Sequence, residues 1–135
     1  MSCYPSSTQR RHWTLSADEI ARRRSEARAR AIDAANEARA ARVGGAPSGE
    51  APTIDPPTPD EEALLRRYYE VKIQKVCQAF SLPTKVRATA VALFKRFLTR
   101  TSPLERSHSL KVTMLTSIYV ACKVEENYVS AEEIG

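Results

Sequence analysis

The chain has 135 residues, enough for one domain, and 21 Lys or Arg against 16 Asp or Glu give it a formal net charge of +5. Its three cysteines are far apart and lack a CxxC spacing, which argues against a disulfide framework or a zinc site and favours a reducing compartment. No segment has the apolar length that a secretory signal or a membrane span requires, so we expect neither export nor a membrane partner.

The first predicted element is a long helix that begins at an S-x-x-E capping box, 16–19. We predict a helix over 17–42, because the stretch is rich in Ala and Arg and contains no Pro or Gly. Large apolar residues are few in it, so packing can stabilise it only locally. We therefore expect this helix to dock near its start alone, through Trp13, Leu15 and Ile20.

A breaker-rich stretch, 43–59, separates this helix from the rest of the chain. It holds three of the four glycines and five of the eight prolines, a composition typical of a flexible connector. We therefore predict three parts. They are an N-terminal extension with a long helix (1–42), a flexible linker (43–59) and a helical domain (60–135).

Three helices are predicted after the linker. The first begins at a second capping box, 58–61, and ends near Phe80 before a Ser-Leu-Pro breaker; the second covers 84–99. The third covers 109–125 and is uncharged over 112–122, so we expect it to be buried on nearly all sides. Helical spacing predicts the inner faces of the first two of these helices. On the first helix the inner residues are Leu65, Tyr69, Ile73, Val76 and Phe80. On the second they are Val86, Ala90, Leu93 and Phe97, with Phe94 and Leu98 beside them.

The fold class predicted from this pattern is all-α. A third capping box, 130–133, indicates that a further helix begins there. Short connections between helices favour a compact bundle packed on the apolar helix 109–125.

Four short signatures follow one another along the helical domain. They are Tyr68-Tyr69-Glu70, PTKVRATA at 83–90, FKRF at 94–97 and ACKVEE at 121–126. In this order they resemble the first cyclin box of the cyclin family. The segment QRRHWTLS at 9–16, followed by an Arg-rich helix, is similar to the N-terminal extension of cyclin H. The resemblance implies a cyclin-box helical bundle, here incomplete, preceded by an Arg/Ala-rich helix.

The resemblance also implies a function. A cyclin-H-like chain is a nuclear regulatory subunit that binds and activates a cyclin-dependent protein kinase, acts in RNA polymerase II transcription, and is not itself an enzyme. In the family, the lysine of the third helix of the box reaches the kinase, so the resemblance gives that role to Lys123. We place Glu126, Trp13 and Ile20 with it as kinase contacts. The implied partners are the kinase catalytic subunit and a third assembly subunit of the CDK-activating kinase, with no cofactor and no metal.

Other interpretations of the same residues stay open. Lys123 alone would be an ordinary helix-end lysine, and Glu125 with Glu126 would be solvated helix-end charges rather than an acid/base pair. The fold would also suit a scaffold that contacts DNA and general transcription factors, like the TFIIB core, or another transcriptional cyclin. A basic cluster is the strongest hint of nucleic acid, although acidic residues flank it and we favour a solvated face. It consists of Arg22, Arg23, Arg24, Arg28 and Arg30.

Overall fold

The computed structural model describes residues 3–43, 55–105, 108–130 and Glu132. Over these residues the chain is all-α, which confirms the predicted fold class. After a 3-10 helix at Tyr4–Ser6, the helices are α1 (Thr8–Trp13), α2 (Ala17–Val43), α3 (Pro59–Ala79), α4 (Thr84–Phe97) and α5 (Leu110–Val124). Most of the predicted linker and half of the third capping box, Ala131 and Glu133, lie outside the described residues. None of the described helices is long and apolar enough to cross a bilayer.

The capping boxes predicted at two helix starts form to different extents. At α3 both hydrogen bonds are present, since the Glu61 amide donates to the Thr58 hydroxyl (3.3 Å) and the Thr58 amide donates to the Glu61 carboxylate (2.7 Å). At α2 the Glu19 amide donates to the Ser16 hydroxyl (3.1 Å). The Glu19 carboxylate binds the guanidinium of Arg22 instead (2.8 Å), an ion pair within the first turns of the helix.

Helices α3 and α5 end in the same way, with a left-handed residue that is not glycine. Ser81 has φ 53° and Glu126 has φ 55°. The next amide, of Leu82 or Asn127, donates to a carbonyl five residues earlier, at 2.8 and 2.7 Å. These bonds define Schellman motifs, in which the left-handed position favours glycine.

Helices α3, α4 and α5 share one hydrophobic core. The stripe that α4 contributes is Val86, Ala90, Phe94 and Leu98, all at most 2% exposed. The sequence prediction had placed Phe94 and Leu98 beside the main stripe and Phe97 on it, and this was wrong, because Phe97 is 36% exposed. Leu93 and Phe94 are adjacent apolar residues, and so are Phe97 and Leu98. The sequence alone therefore does not show which member of each pair lies at the centre of the buried stripe. On α3, Ile73 is buried as expected.

Other predicted inner positions of α3 are not buried. Leu65 is 37% exposed and Phe80 is 42% exposed, whereas Tyr69 and Val76 pack against the edge of the core. The inward face of α3 is therefore shorter than the apolar pattern indicated. Its fully buried apolar residues are Ile73 and Cys77, both in the C-terminal half of the helix.

Helix α5 is buried on one side rather than on nearly all sides. Met114, Ile118 and Cys122 pack into the core, whereas Val112 is 60% exposed. The outer side of α5 and the edge of α4 form a groove of about 620 Å³ in the described part of the chain, lined mainly by apolar groups. The expectation of a fully wrapped α5 was therefore wrong over these residues. Lining residues include Leu93, Phe97, Val112, Thr116 and Val120.

Helix α2 packs through its middle, not only near its start as predicted. Ala27 and Ala31, one turn apart, are its buried residues. Beside them Arg28 forms an ion pair with Glu62 of α3, and Arg30 donates a 3.0 Å hydrogen bond to the carbonyl of Arg100. Helix α2 thus contacts the rest of the molecule through two alanines and two arginines.

Candidate functional site

The lysine that the sequence singled out lies in the last turn of α5 and points into solvent. The Nζ atom of Lys123 is 4.9 Å from the centre of the Tyr119 ring, within cation–π range. The Tyr119 side chain, acting chiefly through its hydroxyl, raises the pKa of Lys123, and Tyr128 adds to this electrostatically. Lys123 therefore remains a cation at any physiological pH. It forms no ion pair with Glu126 or with any other residue that the structure describes.

The residue that holds this end of α5 in place is Glu125. The Thr89 hydroxyl of α4 donates a 2.7 Å hydrogen bond to one Glu125 carboxylate oxygen, and the ammonium of Lys85 lies 3.8 Å from the other. Lys85 also donates a 3.0 Å hydrogen bond to the Glu125 carbonyl. The interpretation of Glu125 as a solvated charge was wrong, because its side chain is only 26% exposed and anchors α5 to α4.

The chain turns sharply after Glu125, and this turn exposes a small mixed surface. Glu126 adopts its left-handed conformation here with its side chain in solvent, and Tyr128 is fully exposed. Val124 is 61% exposed. We call this the α5 end surface and define it as Lys123, Val124, Glu126 and Tyr128.

The four residues predicted as partner contacts do not form one cluster. Lys123 lies beside the N-terminal half of α4, because Lys85 and Thr89 hold Glu125, two residues further along the chain. Trp13 lies at the other end of α4, roughly 20 Å away for a helix of this length. Ile20, in α2, is half-buried.

Trp13 is engaged within the molecule. Its ring lies 5.4 Å from the guanidinium carbon of Arg96 and 5.2 Å from that of Arg100. Two cations on one indole fix the short helix α1 against the C-terminal end of α4. The ring is still 36% exposed, so part of its surface is available to a partner.

The described residues include candidate metal ligands and two buried thiols. They contain no group of three or more His, Cys, Asp or Glu arranged to hold a metal ion. Cys77 and Cys122 are buried in the core, and burial raises the pKa of both thiols. These cysteines act as small apolar side chains in the packing of α3 against α5.

Comparison with known proteins identifies the fold. Residues 54–134 match the family model of the cyclin N-terminal domain. The chain belongs to the cyclin family. The helices α3, α4 and α5 are therefore helices of a cyclin box, and the signatures around Tyr69, Lys85 and Lys123 lie on them.

Three curated relatives are similar to almost the whole chain. Cyclin-H1-1 of Arabidopsis thaliana is 38% identical over 100% of the chain and 44% of its own length. Cyclin-H of Xenopus laevis is 37% identical over 95% of the chain and 38% of its own length. An RNA polymerase II holoenzyme cyclin-like subunit of Aspergillus oryzae is 32% identical over 91% of the chain and 34% of its own length. The chain thus spans less than half the length of these relatives and is cyclin-H-like over the part that they share.

Proposed function

We propose that the chain is a regulatory subunit that binds a cyclin-dependent kinase catalytic subunit through the α5 end surface. The observation that carries this proposal is the state of Lys123, an exposed cation without an ion pair in the described residues, on a helix end that Glu125 ties to α4. A cation held in position loses little conformational freedom on binding, which favours a charge-assisted contact with a partner.

The proposed biological role follows from the relatives. Two of them are cyclin-H proteins and one is a cyclin-like subunit of the RNA polymerase II holoenzyme. We propose that this chain activates its kinase in transcription, acts in the nucleus, and catalyses no reaction itself. A third assembly subunit is part of the proposed complex.

The N-terminal extension is proposed to contribute further kinase contacts, through Trp13 and Ile20. We divide the chain into this extension (1–42), a linker (43–59) and the cyclin-box part (60–135). Deleting 1–42 should leave the cyclin-box part folded but reduce kinase activation, because the proposed kinase contacts of the extension are lost. Full activation by the truncated chain would contradict a role for the extension.

A competitive retention experiment tests the proposal. The immobilised chain is offered purified cyclin-dependent kinase catalytic subunits and a promoter DNA duplex at moderate salt. We expect a kinase subunit to be retained and the DNA to be washed away. Retention of DNA without kinase would favour the scaffold interpretation and would overturn the proposal.

A further inference from the structure

An arginine cluster lies where α2 crosses the start of α3. Arg24 and Arg28 are one turn apart on α2, and Glu62 and Arg66 are one turn apart on α3. Arg28 binds one oxygen of the Glu62 carboxylate, and Arg66 lies 3.6 Å from the other. Both partners are largely covered, since the Glu62 side chain is 5% exposed and that of Arg66 is 13% exposed.

The positive charge of this cluster is not balanced within the described residues. Arg28 and Arg66 share the single carboxylate of Glu62 and engage both of its oxygens, and Arg24 has no contact with it. Glu70, the next acidic group along α3, is paired with Lys95 at 3.4 Å. Glu70 also attracts Arg66, but it is shared with Lys95, so Arg24, Arg28 and Arg66 against Glu62 alone leave two positive charges.

Arg24 is the member without a partner. Its Nε–H is buried and has no acceptor, and the side chain makes no hydrogen bond or ion pair to any described residue. Burial, followed by the charge of Arg24, lowers the pKa of Arg66, so the two guanidiniums repel each other. A buried donor without an acceptor destabilises the folded chain, and the charge of Arg24 adds to this cost because no described residue pairs with it.

We propose that Arg24, Arg28 and Arg66 bind a phosphate monoester, the phosphorylated serine or threonine side chain of a peptide. A phosphate monoester carries about −1.5 to −2 at neutral pH, which matches the excess of two positive charges. Its three oxygens accept the paired N–H groups that guanidinium forks present. A single carboxylate would neutralise only half of the excess.

The shape of the cluster favours one phosphate over a nucleic acid backbone. Nucleic acid binding needs a row of exposed cations that follows successive phosphates. Here the side chains of Arg28 and Arg66 are 80% or more covered, and both guanidiniums meet at the Glu62 carboxylate between two helices. Further along α2, Asp33 and Glu37 are exposed and would repel a neighbouring phosphate.

The test compares peptides on the complete 135-residue chain. A short peptide with one phosphoserine, the same peptide with Ser, and the same peptide with Glu are titrated while the arginine Nε–H resonances are followed by NMR. We expect the phosphopeptide to bind at least tenfold more tightly than the other two and to shift the Arg24 resonance. Equal binding of the phosphoserine and Glu peptides would overturn the proposal. Displacement by a DNA duplex at equal phosphate concentration would also overturn it, in favour of nucleic acid.

Two variants separate the site from general charge. Arg24→Gln should weaken phosphopeptide binding at least tenfold, whereas Arg39→Gln, a matched change at an exposed position of α2, should leave it unchanged. Without phosphopeptide, Arg24→Gln should unfold at a temperature no lower than the parent chain, because it removes an unbalanced charge. The proposal that Arg24 binds an anion would be contradicted if Arg24→Gln unfolded at a lower temperature than the parent chain. It would also be contradicted if both variants weakened phosphopeptide binding equally.

Discussion

The hydroxyl of Thr89 donates a 2.7 Å hydrogen bond to the carboxylate of Glu125, and this contact joins α4 to the C-terminal end of α5. Lys85 adds a second tie to the same residue through its carbonyl. Glu125 stands two residues after Lys123, so the contact sets where the exposed ammonium lies. The position of Lys123 thus depends on Glu125, Thr89 and Lys85, which are not themselves proposed to contact the kinase.

Removing this hydrogen bond should destabilise the domain. Thr89→Val keeps the side-chain shape and leaves the Glu125 carboxylate without its donor, which should lower the free energy of unfolding by about 1–3 kcal/mol. Urea denaturation monitored by circular dichroism measures the change. Glu126→Gln, on the exposed side of the same turn, is the control and should change stability by less than about 0.5 kcal/mol. If both variants unfold like the parent chain, Glu125 does not anchor α5.

The cation–π contact between Trp13 and Arg96 should appear as a coupling energy. A double-mutant cycle of Trp13→Leu with Arg96→Gln should give about 0.5–1 kcal/mol, the usual size of a cation–π contact near the surface. Unfolding of the four proteins in urea supplies the cycle. The matched cycle with Lys95→Gln should give no coupling, because Lys95 pairs with Glu70. Equal coupling in both cycles would contradict the observed contact.

The left-handed residue after α3 offers a stabilising substitution. Ser81→Gly should raise the free energy of unfolding by up to about 1 kcal/mol, because glycine adopts a positive φ without the steric cost that serine has. Gln78→Gly, inside the last turn of the same helix, should lower stability by about 0.5–1 kcal/mol. A loss of stability in Ser81→Gly would mean that the Schellman geometry at this position is wrong.

Thiol reactivity should distinguish the three cysteines. Cys3 is exposed, whereas Cys77 and Cys122 are buried and burial raises the pKa of both thiols. Under native conditions one thiol per chain should therefore react rapidly with a disulfide reagent, and all three should react in denaturant. Cys3→Ser should abolish the rapid phase. Rapid reaction of two or three thiols in the folded protein would contradict the packing of α3 against α5.

Local signals in the sequence predicted α2 to α5 well, whereas the short helix α1 was not predicted. Helix starts are set by capping hydrogen bonds at Ser16 and Thr58 and by the missing N–H of Pro83. These effects involve only neighbouring residues, so the sequence alone locates the helix starts. The predicted ranges for α2 to α5 agree with the observed bounds within about two residues.

Contacts between distant segments could not be predicted in the same way. Glu125 meets Thr89 across 36 residues, and Arg28 meets Glu62 across 34. The docking of α2 through Ala27 gave no sequence signal, since alanine is abundant in any stable helix. The sequence does show a threonine on α4 and a glutamate at the end of α5, and such a pair can form a hydrogen bond. This pattern alone predicts the contact only weakly. It becomes specific only when the two helices are known to pack together.

The role of Lys123 is tested most directly by calorimetry. The measurement compares the affinities of single variants of this chain for the kinase catalytic subunit that the retention experiment identifies. We expect Lys123→Ala to weaken binding by more than tenfold, since a charge-assisted contact buried at an interface is worth about 2–5 kcal/mol on truncation. Lys111→Ala, an exposed lysine in the first turn of the same helix, should leave the affinity unchanged. Unchanged affinity in Lys123→Ala, or an equal loss in both variants, would contradict the proposal that this ammonium group contacts the kinase.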